Sequence, residues 1–300
     1  MSTVLTLVAS TPKHPLTDRH LKDIVKMIGF YNVEQTGRPV WIKKHTVAEL
    51  GITRSGGFSM IRHLWEFLEK DKIDVFITPV ENRRKKLLLA DMDSTIVEGE
   101  TLDDLAAHAG IKEQVAQITA RAMNGEMDFH TALNERVALL KDLPVAALEE
   151  TLDQLKINPG AQSMVKTMRE NGCHCVLVSG GFTFFTAAVA EKLLFMNHHG
   201  NVLDIKNDTL TGRVKPPILD KDAKTGFLRH YINMHEIQPE DCITIGDGAN
   251  DLPMLKMAGL GVGYKAKETV KKDIENQIIH GDFTAALYAQ GYGEKDILKP

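Results

Sequence analysis

Three apolar runs in this chain stop abruptly at polar residues. Leu87-Leu-Leu-Ala90 runs into Asp91 and Asp93, Cys175-Val-Leu-Val178 into Ser179 and two glycines, and Cys242-Ile-Thr-Ile245 into Gly246 and Asp247. Short, continuous apolar runs are the pattern of strands buried on both faces of a parallel sheet, where no side of the strand meets water. A long, mostly helical stretch from about 101 to 155 separates the first two runs. GLGVGY (259–264) reads as a further strand, and VLDIKNDTLTGRV (202–214) alternates around Asn207-Asp208 as a hairpin does. Strands spaced by helices predict a doubly wound α/β sheet. Such sheets bind ligands outside the carboxyl ends of their strands, so three polar ends far apart in sequence are expected to converge on one site.

The first 80 or so residues have a different rhythm. VLTLVAS (4–10) reads as a strand, TDRHLKDIVKMIGF (17–30) as a helix opened by a threonine, and VWIKKH (40–45) as a short strand. FSMIRHLWEFLEKDK (58–72) reads as a second amphipathic helix and IDVFITPV (73–80) as a closing strand. With room for one more strand, this predicts a small ferredoxin-like α+β unit. The charged stretch ENRRKK (81–86) then reads as a linker or domain edge. The expected division is residues 1–82 for the N-terminal domain and 83–300 for the α/β core.

Bulk properties narrow the function classes. A net charge of −4 over 300 residues argues against nucleic acid or an anionic membrane as main partner. No apolar stretch is long enough to span a bilayer, and MSTVLTLVASTPKHP makes a poor signal peptide. Three cysteines, a low and odd number, suggest a reducing cytoplasm without a disulfide framework. Cys173 and Cys175 read as buried, inert thiols on one strand face, since further metal ligands are not in view nearby. His198-His199, in MNHHGN, reads as a solvated loop pair.

The acidic residues at the strand ends are the chemical puzzle. Taken singly, Asp91, Asp93, Asp247 and Asp251 could each be a helix cap or a turn aspartate, because DST and DGAND resemble such sequences. Gathered on neighbouring strand ends without an equal number of basic partners, they repel one another. A hard divalent cation resolves the repulsion, and Mg²⁺ suits oxygen ligands shared with substrate phosphate and water. SGGF (179–182), between a strand and a helical run, offers a hydroxyl, backbone N–H groups and a helix N-terminus to an anion, although a tight strand-to-helix turn explains it as well. Lys224, in KDAKTGFL, reads on its own as a solvated lysine.

Together, DMDST (91–95), SGG (179–181), Lys224 and GDGAND (246–251) resemble the four signature motifs of the haloacid dehalogenase-like phosphatases. Within that family GETLDDLA, AMNGEMDF, RVALLKDLP, VSGGF, LTGRV and GDGANDLPML are similar to the phosphoserine phosphatases, over residues 87 to 290. The resemblance implies a phosphatase core with a helical cap inserted at about 101–155, and hydrolysis of O-phosphoserine to serine and phosphate as the last step of serine biosynthesis. Asp91 would be the nucleophile that forms an aspartyl-phosphate, and Asp93 the general acid/base for the leaving serine oxygen and the hydrolytic water. Mg²⁺ would be held by the Asp91 side chain, the Asp93 backbone carbonyl and Asp247. Ser179, Gly180 and Lys224 would bind phosphoryl oxygens, with Asn250 supporting the phosphate or the nucleophile. Asp251 would hold a metal-bound water or orient Lys224. In the cap, Glu100 would bind the substrate ammonium and Arg136 its carboxylate, with Met123 and Phe129 covering the site. Glu98 has no implied role and reads as solvated.

Two other functions compete. Water and an alcohol attack the same intermediate, so a phosphotransferase or a phosphatase for another small ester fits the same core. An amino-acid sensor with a vestigial core would be expected to lack Asp91 or Asp93, and both are present. The N-terminal pattern resembles an ACT-like regulatory fold by pattern only, which implies amino-acid binding or homodimerisation through that domain.

Overall fold

The computed structural model describes residues 3–123 and 126–300. The chain begins with β1 (Thr3–Ala9), α1 (Asp18–Gly29), β2 (Gln35–Lys43), β3 (Val47–Ile52), α2 (Phe58–Leu68) and β4 (Ile73–Pro79). Helix α1 starts where the sequence predicts it: Thr17 accepts the His20 N–H at 3.4 Å while the His20 ring accepts the Thr17 N–H, a reciprocal cap. Residues 40–43 of VWIKKH form the second half of the longer β2, Lys44 and His45 lie in the turn after it, and the extra strand is β3. The sheet order is β2-β3-β1-β4, antiparallel at each pairing, which is the ferredoxin-like arrangement.

Strands β1 and β4 of this sheet are buried on both faces along nearly their whole length. Leu5, Leu7, Ile73, Val75 and Ile77 face a core built with Leu21, Ile24, Ile28, Ile61, Leu64 and Leu68 of the helices. The opposite face carries Thr6, Asp74 and Thr78, also buried. There Asp74 accepts the backbone N–H groups of Ile279, His280 and Gly281 at 2.8–3.0 Å, and Thr78 donates to the Ala289 carbonyl. Arg83 and Lys85 of the charged stretch 81–86 are drawn into this layer. The Arg83 guanidinium pairs with Glu49 at 2.6 Å and donates to the Ala289 carbonyl, while Lys85 Nζ donates to the carbonyls of Asn82 and Glu240. Two basic residues of a stretch that reads as a linker or domain edge are therefore held by local acceptors.

The α/β part contains β5 (Leu87–Asp91), the helices α3 (Thr101–His108), α4 (Lys112–Met123), α5 (Phe129–Ala138), α6 (Val145–Gln154) and α7 (Ala161–Glu170), then β6 (His174–Phe182) and α8 (Thr183–Leu193). The hairpin β7 (Asn197–Lys206) and β8 (Thr209–Lys215) follows, then α9 (Lys221–Met234), β9 (Cys242–Gly246), α10 (Leu252–Met257), β10 (Leu260–Tyr264), α11 (Glu268–Lys271), β11 (Asn276–Ile278) and α12 (Thr284–Ala289). The second sheet has the order β11-β10-β9-β5-β6-β7-β8. The pairs β11–β10, β10–β9 and β6–β7 are parallel, and β8 closes one edge antiparallel. By compactness the chain forms two units, one of residues 1–89, 159–175 and 230–300, the other of 90–158 and 176–229.

The expected hairpin is present, with Asn207 and Asp208 both at positive φ as its two-residue turn requires. His198 and His199, expected in a solvated loop, instead lie inside β7 and pair in register with Leu177 and Val178. The His198 ring bonds the Thr186 hydroxyl at 2.9 Å, and His199 stacks on Phe227 at 3.8 Å. A strand that begins with polar residues has no apolar signature to announce it. Cys173 lies just before β6 and Cys175 within it. Both are buried and free, and burial together with the bond from its neighbour raises the Cys173 thiol well above its ordinary value, so it stays protonated.

The helices α3 to α6 fill the stretch between β5 and α7 that the sequence reads as mostly helical. Its two connecting segments are stapled together: Glu98 N–H donates to the Lys156 carbonyl, Asn158 N–H to Ile96, and the Asn158 amide to Thr95, at 2.7–2.9 Å. At the far end the 142–145 segment bonds the hairpin turn through Asp142 to Leu210 and Val145 to Asp208. Glu98 is exposed, in keeping with its solvated reading.

Candidate active site

β5 ends at Asp91, and the chain then turns irregularly over Met92–Ile96 with Ser94 at φ +55°. The turn is closed by Ser94 N–H on the Gly99 carbonyl at 2.7 Å and Val97 N–H on Met92 at 3.0 Å. It carries two carboxylates out of the same strand end into different surroundings. Asp91, 4% exposed, accepts the ammonium of Lys224 at 2.5 Å on Oδ1 and the Thr95 hydroxyl at 3.3 Å on Oδ2. Lys224 is itself 3% exposed, so the bland reading of a solvated lysine fails: helix α9 delivers it into the interior, against a carboxylate.

Asp93 is held by another set of groups. Its Oδ1 accepts both the N–H and the hydroxyl of Thr101, at 2.8 and 2.7 Å, and its Oδ2 accepts the Ser179 hydroxyl at 2.6 Å. Thr101 is the first residue of α3, whose own cap residue Glu100 makes no side-chain cap bond. Asp93 thus satisfies an N–H that the helix cannot satisfy internally. Sequence reasoning passed over Thr101, because a threonine at a helix start carries no sign that its partner lies eight residues upstream.

The strand end of β6 supplies the rest of this half. Ser179 Oγ accepts the Gly181 N–H at 2.7 Å while donating to Asp93. A methyl group on Gly181 would fall 2.9 Å from Asp93 Oδ2, 3.0 Å from Ser179 Oγ and 3.3 Å from Thr101 Oγ1, so only glycine admits these groups together. The Gly180 carbonyl accepts the amide of buried Asn201, a residue the sequence did not flag, which also bonds Leu219 at both backbone atoms. A methyl on Gly180 would meet the Phe129 ring at 3.6 Å, which places that cap residue over the glycine turn. Met123 ends α4, and its side chain lies outside the described residues.

Glu100 and Arg136 occupy the same part of the insert. The exposed Glu100 accepts the Ser94 hydroxyl at 2.8 Å. Arg136 is half-buried and gives its Nε to the Ala132 carbonyl one turn back at 3.2 Å. Burial pulls the guanidinium below its ordinary value, opposed by the carboxylates of Asp103 and Glu100. An arginine desolvated in this way gains from an anionic partner.

At the end of β9, Asp251 Oδ2 accepts the N–H groups of Asp247 and Gly248, both at 3.1 Å, which ties the GDGAND turn together. Asn250 is exposed and reaches Asp251 at 3.5 Å. Lys267, also unflagged by sequence, pairs with Asp247 Oδ2 at 3.0 Å. Asp91 is buried at the end of β5, and Asp247 and Asp251 are buried just beyond β9, each with carboxylate oxygens to offer. An all-oxygen donor set with no sulfur or imidazole suits a hard divalent cation.

Comparison with known proteins agrees with this geometry. Residues 88–256 match the model of the haloacid dehalogenase-like hydrolase family. Phosphoserine phosphatase from Archaeoglobus fulgidus is 42% identical over 212 residues, 70% of this chain, and the match spans 62% of its length, less than two thirds. Phosphoserine phosphatase from Methanocaldococcus jannaschii is 38% identical over 190 residues, covering 63% of this chain and 90% of that protein. Among solved structures, a hydrolase of the same family from Salmonella enterica serovar Typhi superposes with a TM-score of 0.84 over 96% of this chain and 98% of that one, at 26% identity. A phosphoserine phosphatase described as a phospho-aspartyl intermediate analogue superposes with a TM-score of 0.63 over 68% of this chain and 98% of that one, at 37% identity. The motifs, the doubly wound sheet and these matches agree that the chain belongs to the haloacid dehalogenase-like hydrolase family.

Proposed function

We propose that the chain is a Mg²⁺-dependent phosphoserine phosphatase, hydrolysing O-phospho-L-serine through an aspartyl-phosphate on Asp91. The observation that carries this reading is the unlike treatment of two carboxylates from one strand end. Asp91 lies against a buried ammonium, and Asp93 sits in a net of three donors from Thr101 and Ser179. A nucleophile and a proton carrier need such separate surroundings. The phospho-aspartyl analogue of a 37% identical relative supports the same intermediate.

In this reading Asp91 attacks phosphorus in line with the serine oxygen, and Lys224 neutralises charge on the carboxylate and the incoming phosphoryl group. Asp93 gives its proton to the departing serine oxygen and later takes one from the water that attacks the acyl phosphate. Ser179 and the Gly180 N–H hold phosphoryl oxygens, and Asn250 and Asp251 support the turn beside them. Mg²⁺, when bound by Asp91, the Asp93 carbonyl and Asp247, supplies positive charge that lets one anion approach another. Glu100 and Arg136 select serine by its ammonium and carboxylate, and Phe129 and Met123 cover it.

The reading keeps residues 1–82 as an ACT-like domain for regulation or pairing and 83–300 as the catalytic part. No helix among the described residues is long and apolar enough to cross a membrane, and the three buried free thiols accord with a reducing, cytoplasmic setting. β2 is the outer strand of the N-terminal sheet and exposes Val40, so a homodimer would pair there. Val40→Arg should then lower the mass found in solution.

The deciding experiment is a substrate panel with Mg²⁺ and with chelator, on the wild type and on Asp91→Asn. Strong preference for O-phosphoserine, dependence on Mg²⁺ and loss of turnover in the variant are expected. Absence of phosphoserine hydrolysis, or phosphate passing mainly to an added alcohol such as homoserine, would sink the reading.

A further inference from the structure

Lys267 lies outside the residues that carry the phosphatase reading, yet it is fixed to Asp247 at two points. Its backbone N–H donates to the Asp247 carbonyl at 2.9 Å and its ammonium meets Asp247 Oδ2 at 3.0 Å. The loop that carries it is rigidly placed. Lys265 adopts φ +42° and gives its N–H to the Ile278 carbonyl, and Ala266 is buried among Leu255, Val270 and Ile274. Lys267 then caps α11. From the other side, Asp251 holds the Asp247 N–H. The Asp247 carboxylate is therefore oriented before any cation arrives, with one oxygen already facing a positive charge.

We propose that Lys267 is a positioning residue that makes the site select Mg²⁺ over Ca²⁺, by confining Asp247 to single-oxygen ligation. This rests on the reading of Asp91 and Asp247 as metal ligands. The two ions differ in what they ask of a carboxylate. Mg²⁺ takes six oxygens in a tight octahedron and accepts one oxygen from each carboxylate, whereas Ca²⁺ takes six to eight at longer range and is readily clasped by both oxygens. A cation clasped by both oxygens of Asp247 would lie against the Lys267 ammonium on Oδ2. The ammonium thus penalises the ligation that Ca²⁺ exploits and leaves the kind that Mg²⁺ uses. Its removal also adds a net negative charge to the site, which strengthens binding of both ions alike, so the ratio of affinities is the diagnostic quantity.

Calorimetric titration of the full chain with MgCl₂ and with CaCl₂ tests this in the wild type, Lys267→Met, Lys267→Gln and Lys267→Arg. The neutral variants should tighten Ca²⁺ about tenfold and Mg²⁺ about threefold or less, the scale of one exposed charge plus a gained ligand oxygen. Lys267→Arg should keep the wild-type ratio. Two neutral variants are used so that one poorly folded protein does not decide the result. Parallel tightening of both ions, or no change in either, overturns the role of Lys267 while leaving the metal reading intact. A wild-type protein that binds neither ion overturns the metal reading and this role with it.

Discussion

Ser179 Oγ donates to Asp93 Oδ2 at 2.6 Å while accepting the Gly181 N–H at 2.7 Å. One hydroxyl thus links the proposed acid/base to the glycine turn proposed to hold phosphate. Ser179→Ala removes both bonds and leaves Asp93 Oδ2 and the Gly181 N–H without that partner. We expect kcat for phosphoserine to fall by roughly 10²-fold, the usual scale for a disturbed general acid/base. A loss seen only in KM would assign Ser179 to ground-state binding alone.

Thr101 holds the other oxygen of Asp93 through its N–H and its hydroxyl. Thr101→Val keeps the N–H and the side-chain shape but loses the hydroxyl, whereas Thr101→Ser keeps both donors. Steady-state kinetics should show kcat about tenfold lower for Val, the worth of one hydrogen bond to a charged group, and near wild type for Ser. Equal behaviour of the two variants would mean that the hydroxyl has no positioning role.

Lys224 and Asp91 form a buried ion pair. Removing the ammonium leaves the Asp91 carboxylate buried and uncompensated, so Lys224→Met should cost roughly 3 kcal/mol in urea unfolding. Asp91→Asn keeps a side-chain oxygen that accepts from the ammonium, so its cost should be smaller, about 1 kcal/mol. The reverse order of the two variants would contradict the electrostatic account.

Arg136 is half-buried, its value lowered by burial and raised by Asp103 and Glu100. If it grips the substrate carboxylate, Arg136→Ala should lower kcat/KM for phosphoserine by about 10²-fold, the loss of a bidentate charged contact, yet change turnover of an aryl phosphate by less than about threefold. Equal losses on both substrates would mark it as structural.

Asp74 supplies a pH dependence remote from catalysis. Burial pushes its carboxyl up to about 6, against the opposing pull of the Gly281, His280 and Ile279 N–H groups. A folded-state value above the ordinary one means that the folded chain holds this proton more tightly than the unfolded chain. The stabilisation is therefore complete below about pH 4 and is lost as pH rises through about 6. From pH 4 to pH 6.5 the wild type should lose roughly 2 kcal/mol of unfolding free energy relative to Asp74→Asn. A difference that does not change with pH would show that the three N–H donors hold Asp74 ionised throughout.

Much of the fold and of the site was legible in the sequence because the signals are local. Continuous apolar runs require strands with no wet face, and each run's polar end lies where a sheet of this kind binds ligands. Asp91, Asp93, Ser179 and Asp247 could be named from that alone, and the resemblance to the phosphatase family added Lys224, Glu100 and Arg136. Only the tertiary structure decided how each group is held. Thr101 on Asp93, Asn201 on the glycine turn and Lys267 on Asp247 are contacts beyond the reach of any one helix or strand, and a threonine, an asparagine or a lysine looks the same in sequence whether or not such a partner exists. The same reason explains His198 and His199 in β7, and Arg83 and Lys85 drawn inside: burial of a polar residue depends on whether folding brings an acceptor or donor to it, and no local pattern records that.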